Sequence, residues 1–213
     1  MVSRFLPPPA DVLGRRGIPL WLKLTYTAWM AAWVPVYWSA FGPSNFLWLC
    51  DVANFVVCAA LWLESPLLFS AQACGVLLIQ LGWALDFFGS ILLRFHPIGG
   101  TEYMFDPAEP VITRCLSAFF HLAMPGLLLW AIARLGFDRR GVRFQTALAW
   151  AVLPLSFFVA GPEVNLNWVW GPFGKPQSAL APWLYLLVTM AAYPLLLYLP
   201  SHLALRWWAA RAP

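Results

Sequence analysis

FLWLCDVANFVVCAALWL, residues 46–63, is an eighteen-residue run in which Cys50, Asp51, Asn54 and Cys58 stand among apolar side chains. A stretch this apolar is long enough to cross most of a bilayer, because the hydrocarbon core is about 30 Å thick and a helix rises about 1.5 Å per residue. An aspartate inside it is costly, at about 2.5–3.5 kcal/mol on insertion scales, so such a residue is expected to face a bundle interior or a polar cavity.

The surroundings of this run repeat its character. The chain has 213 residues, 62% of them hydrophobic and 10% charged, with 14 tryptophans. A water-soluble domain would need a larger charged share to cover its surface. The sequence therefore predicts an all-α, polytopic membrane bundle. Its expected crossings are residues 19–41, 45–63, 67–93, 107–135, 143–161 and 180–205, so six transmembrane helices make up a domain over 19–205. Residues 1–18 read as a cytoplasmic tail ahead of an uncleaved signal anchor, and 206–213 as a second tail. Asp106, Pro107 and Glu109 have the spacing of an N-cap, a first-turn proline and a capping-box acid for the fourth helix, and Gly136 suits its end.

Charge placement gives an orientation. Arg4, Arg15, Arg16, Lys23, Arg134, Arg139, Arg140, Arg143, Arg206 and Arg211 fall at one set of helix ends, against Arg94, Arg114 and Lys175 at the other. Ten against three places both termini in the cytoplasm, consistent with a multi-pass protein of a bacterial inner membrane. The basic residues form no stripe interleaved with stacking aromatics, so nucleic acid is not an expected partner; membrane lipids are.

With this orientation, Cys50, Asp51 and Asn54 on the second helix, Asp86 on the third, Ser117 and His121 on the fourth, and Glu163, Asn165 and Asn167 after the fifth all come to a similar outer depth. They are expected to line one outward-facing pocket. Ser117 and His121, four apart, share a helix face. The three histidines, His96, His121 and His202, cannot together build a zinc site of imidazoles alone, since His202 lies at the opposite end. A mixed site of His96, His121 and carboxylates from Asp51, Asp86 or Glu102 has no motif spacing behind it. No metal and no cofactor are expected. Cys50 and Cys115 both lie near the outer face, where an oxidising compartment can join such a pair.

The parts for acyl transfer are present: Cys50 as nucleophile, His121 as its base, Asp51 or Asp86 to orient the imidazole, and asparagines as oxyanion donors. LWLCDVANF, FFHLAMP and PEVNLNWVWG, in that order, resemble the multipass family that includes the androgen-induced lipid hydrolases, a related human acyltransferase of ether phospholipids and bacterial integral membrane relatives. The resemblance spans about residues 44–172. It implies Cys50 as nucleophile, His121 as base and Asn165 with Asn167 at the matching helix end. The whole chain, through GGTEYMFDP and FDRR, is also similar to a bacterial group of membrane-associated proteins, which implies no activity. The expected function is an intramembrane fatty-acyl ester hydrolase or acyltransferase in which Cys50 and His121 are catalytic and Asp51, Asn54, Asp86, Asn165 and Asn167 bind substrate. The alternative is a noncatalytic protein that binds a lipid or small apolar ligand, or serves assembly.

Overall fold

The computed structural model describes residues 17–211; the tail expected over 1–18 falls almost wholly outside them, as do residues 212 and 213. Six long helical segments follow one another: α1 (Leu20–Phe41), α2 (Leu49–Leu63), α3 (Pro66–Leu93), α4 (Val111–Leu135), α5 (Gly141–Val159) and α6 (Pro182–Ala209). Among the described residues there is no strand. Four of the helices, α3 to α6, are long and apolar enough to cross a membrane. Much of their surface is exposed apolar side chain, such as Leu81, Leu85, Phe88 and Leu92 on α3. Such a surface matches lipid rather than water. By contrast α2 is apolar but has 15 residues. Helix α1 is long enough, but Lys23 and six Trp and Tyr residues stand in it where α3 carries aliphatics.

Helix α3 is the hub, packed against α2, α4, α5 and the last part of α6. Its segment from Phe69 to Leu77 is buried on every side. Small residues make this possible. A Cβ on Gly141 would lie 2.7 Å from the backbone of Ser70 and Ala71, so the start of α5 sits directly against the α3 main chain. One apolar cluster fills the space among α1 to α4, centred on Trp33, Phe69, Leu61 and Leu128. A second joins the start of α2 to α5 and α6 through Leu49, Leu153 and Tyr198.

Contacts at the two ends define an up-and-down path. At one end Lys23 pairs with Glu64 at 2.6 Å, Arg134 Nε donates to the Gly17 carbonyl, and Asp138 N donates to Ser70 Oγ. The start of α1, the α2–α3 turn and the α4–α5 turn therefore share that end. The turn between α2 and α3 is tight because Glu64 adopts φ 48° and Ser65 Oγ then caps α3 at Leu68 N.

Helix starts depart from expectation twice. The second helix begins at Leu49 rather than 45, with Pro43–Leu47 as a 3-10 turn before it. The fourth begins at Val111 rather than 107, since Pro110 biases Glu109 away from helical backbone. Asp106 instead ends the turn Glu102–Phe105 and accepts from Ala108 N. Gly136 ends α4 as expected, at φ 97°. The last helix runs through Ala209, past the expected tail boundary at 206. Inside α6 the backbone forms a π segment over Tyr193–Tyr198. Pro194 has no N–H to offer Met190, and Trp150 Nε1 from α5 supplies that carbonyl with a donor at 2.9 Å.

A buried polar network under the 96–106 loop

Asp86 near the end of α3 is wholly buried and organises the loop that follows. Its Oδ1 accepts from Ile98 N (2.6 Å) and Gly99 N (3.1 Å). Its Oδ2 accepts from Gly100 N (3.0 Å), Thr101 N (2.9 Å) and Thr101 Oγ1 (2.6 Å). His96 lies 3.6 Å away and bonds Thr101 Oγ1. Five donors saturate the carboxylate, so Asp86 is a loop anchor and does not belong with the other expected pocket residues.

The loop so fixed delivers Tyr103 to the bundle. Trp83 Nε1 donates to Tyr103 OH at 3.0 Å, and Tyr103 OH lies 2.6 Å from Ser117 Oγ. Since the tryptophan is a donor only, the tyrosine is free to pass its own proton to Ser117. Ser117 lies one turn before His121, as expected from their spacing. The ring nitrogen Nδ1 of His121 is 2.9 Å from Ser117 O and 3.3 Å from Ser117 Oγ. A carbonyl can only accept, so Nδ1 carries the proton and Nε2 the lone pair. The imidazole is held flat against Trp83, with centroids 4.4 Å apart and planes at 14°. Burial raises the Tyr103 phenol well above its ordinary pKa, and the adjacent Cys50 and Asp51 add to that, against the lowering effect of its bonds to Ser117 and Trp83.

The α2 residues have hydrogen-bond partners of their own. Asp51 Oδ2 accepts from Asn45 Nδ2 at 2.8 Å, and Cys50 Sγ lies 4.0 Å from Asp51 Oδ1. Asn54 donates to Cys50 O and accepts from Tyr26 OH of α1. Tyr37 OH of α1 donates to Thr113 O at 3.4 Å, one turn before Ser117. Ser117 thus links Tyr103 to His121, while Cys50, Asp51 and Asn54 of α2 form a second hydrogen-bonded group with Asn45 and Tyr26. Cys50 and His121 share no hydrogen bond among the described residues.

The asparagines belong elsewhere. Asn167 accepts from Leu49 N (2.8 Å) and donates to Leu47 O (2.7 Å) and Ser156 Oγ (2.9 Å), so it caps α2 from 118 residues away. Asn165 accepts from Trp170 N and donates to Gly171 O. Both adopt left-handed backbone, at φ 47° and 50°, which asparagine tolerates better than most residues. The N-x-N pair is thereby a backbone device with its amides engaged, rather than a set of oxyanion donors.

All four cysteines are free thiols, so Cys50 and Cys115 are not joined. Among the described residues no three His, Cys, Asp or Glu side chains are grouped to hold a metal. Sequence reasoning missed Tyr37, Trp83, Tyr103 and Asn45 as network members. Aromatics in greasy helices read as packing or interface residues, and only the fold shows that their polar tips meet.

Fold and network together describe an all-helical protein with four helices long and apolar enough to cross a membrane and a buried polar network beneath the 96–106 loop. No protein-family model matches the chain, and neither a curated protein nor a solved structure matches it.

Proposed function

We propose that the chain is a six-span membrane protein with both termini cytoplasmic that acts on fatty-acyl esters, with Cys50 as acyl acceptor and His121 as its base. The orientation is supported by the gathering of Lys23, Arg134, Arg139, Arg140, Arg143, Arg206 and Arg211 at one end. The observation that carries the chemistry is which polar atoms keep a free valence. Asp86, Asn165 and Asn167 are spent on backbone groups. His121 Nε2 has no hydrogen bond among the described residues while Nδ1 is fixed by Ser117, and the Cys50 thiol has only a long contact to Asp51.

Free valences on both groups are one requirement of a nucleophile–base pair; the other, hydrogen-bond reach between thiol and imidazole, has to be met on substrate binding. The Cys50 sulfur attacks the ester carbonyl carbon, and the thiol proton passes to His121 Nε2. The ester C–O bond breaks as the leaving alcohol takes that proton. Water or a second alcohol then attacks the thioester, giving hydrolysis or acyl transfer, and the thiol is restored.

A second reading is noncatalytic binding or assembly, favoured by the lack of a bond between Cys50 and His121 and by the engaged amides of Asn165 and Asn167. Labelling the purified chain with a thiol-directed acyl probe separates the two. Acylation of Cys50 that is lost in both Cys50→Ala and His121→Ala supports catalysis. Unlabelled protein whose copurified lipid is the same in wild type and both variants supports binding.

A further inference from the structure

At the basic end, a cleft of about 340 Å³ opens between the α4–α5 turn and the end of α6, lined by Arg139, Leu203, Arg206, Trp207 and Ala210. Residues 203, 206, 207 and 210 recur at helical spacing, so α6 presents one face to the cleft and the turn closes it with Arg139. The face combines two chemistries. Leu203, Ala210 and the Trp207 ring are apolar and exposed, while Arg139 and Arg206 are cationic and, among the described residues, make no ion pair.

Among the described residues the acids of this end are paired elsewhere. Glu64 is paired with Lys23, and Asp138 with Arg140 at 2.7 Å. Of the other described cations, Arg134 is bonded to Gly17 O, Arg211 stacks over Trp207 with its guanidinium carbon 4.1 Å from the ring centroid, and Arg143 is exposed and unpaired but lies outside the cleft. Two open guanidiniums beside an apolar strip match a molecule with an anionic head and a hydrocarbon body. Guanidinium is the side chain best shaped to take phosphate oxygens in pairs, and tryptophan favours headgroup depth. Basic pockets between transmembrane helices are suited to anionic headgroups.

We propose that this cleft binds an anionic phospholipid, with its phosphate on Arg139 and Arg206 and its glycerol and upper acyl chain along Leu203, Ala210 and Trp207. The inference rests on the chain spanning a membrane and is independent of the acyl chemistry at the other end.

The test is native mass spectrometry of the full chain released from micelles, with phosphatidylglycerol and phosphatidylcholine of matched acyl chains. Wild type is expected to retain phosphatidylglycerol in preference. Removing each arginine, in Arg139→Ala and Arg206→Ala, is expected to weaken retention roughly fivefold, from the attraction of one basic residue near an anionic surface. Arg143→Ala removes the same charge at the same end outside the cleft, and is expected to change retention less than about twofold. Leu203→Glu keeps both arginines but sets a carboxylate in the cleft, and should abolish the preference. Thermal unfolding of each variant checks that it is folded. Equal retention of the two lipids, or an Arg143→Ala loss as large as that of Arg139→Ala, overturns the proposal. So does displacement of the lipid by glycerol phosphate alone, which would make the ligand a free phosphate ester.

Discussion

Replacing Asp86 with asparagine removes one acceptor oxygen from a carboxylate that accepts five hydrogen bonds. The amide can keep three of the five donors if its oxygen faces Gly100 and Thr101, but its NH2 then points at Ile98 N and Gly99 N, both donors. Each buried N–H left without an acceptor costs about 1–3 kcal/mol. Two of them, offset in part because a charge is no longer buried, give a loss of about 3 kcal/mol. For a domain near this size that corresponds to a fall in Tm of about 6–12 °C. The assay is thermal unfolding in detergent together with hydrogen exchange of peptides covering residues 96–105. Exchange at Ile98 and Gly99 should accelerate first, and Tyr103 should leave Ser117 as the loop loosens. If Asp86→Asn melts within about 1 °C of wild type and exchange across 96–105 is unchanged, the carboxylate is not what holds the loop, and the reasoning fails.

Three further outcomes test other parts of the structure. Asn167→Ala orphans Leu49 N and removes the donor to Leu47 O, so it should destabilise by about 2–4 kcal/mol in denaturant or thermal unfolding, with faster exchange confined at first to residues 43–50. Gly141→Ala places a methyl 2.7 Å from the α3 backbone and should cost at least about 2 kcal/mol, whereas Gly126→Ala, with open space around it, should be neutral or stabilising. Hydrogen bonds from Arg140 hold the Asp138 carboxyl below its usual pKa. The stabilisation this pair gives is complete above the ordinary aspartate value of about 3.9 and is lost as pH falls through the lowered one. Carboxyl titration by NMR should therefore show Asp138 titrating low in wild type and moving upward in Arg140→Ala.

Hydropathy placed all six helices, because a buried or lipid-facing helix must be apolar along its length and the turns between them are rich in Gly, Pro and charge. Ends were legible where the cap is local, as at Gly136. They were not where it is distant: the start of α2 depends on Asn167, 118 residues away, and no pattern within α2 records that. The same holds for the site. Position along a helix is legible in sequence, so Cys50, Asp51, Asn54 and His121 were expected at one level. Partnership does not follow from depth. Asp86, Asn165 and Asn167 lie equally near that end, yet they serve backbone groups whose positions only the folded loops define. Tyr103 was hidden for a related reason, since its place beside Ser117 exists only after Asp86 has shaped the loop before it.

The short α2 bears on the lipid around it. Fifteen residues rise about 22 Å, several ångströms less than a typical hydrocarbon thickness. A bilayer meets such hydrophobic mismatch by compressing locally, at a fraction of a kcal/mol per ångström. On the six-span reading, that thinning falls beside the exposed face of α2, which carries Phe55 and Trp62. Lengthening α2 by one turn would remove the mismatch and let the bilayer keep its ordinary thickness there.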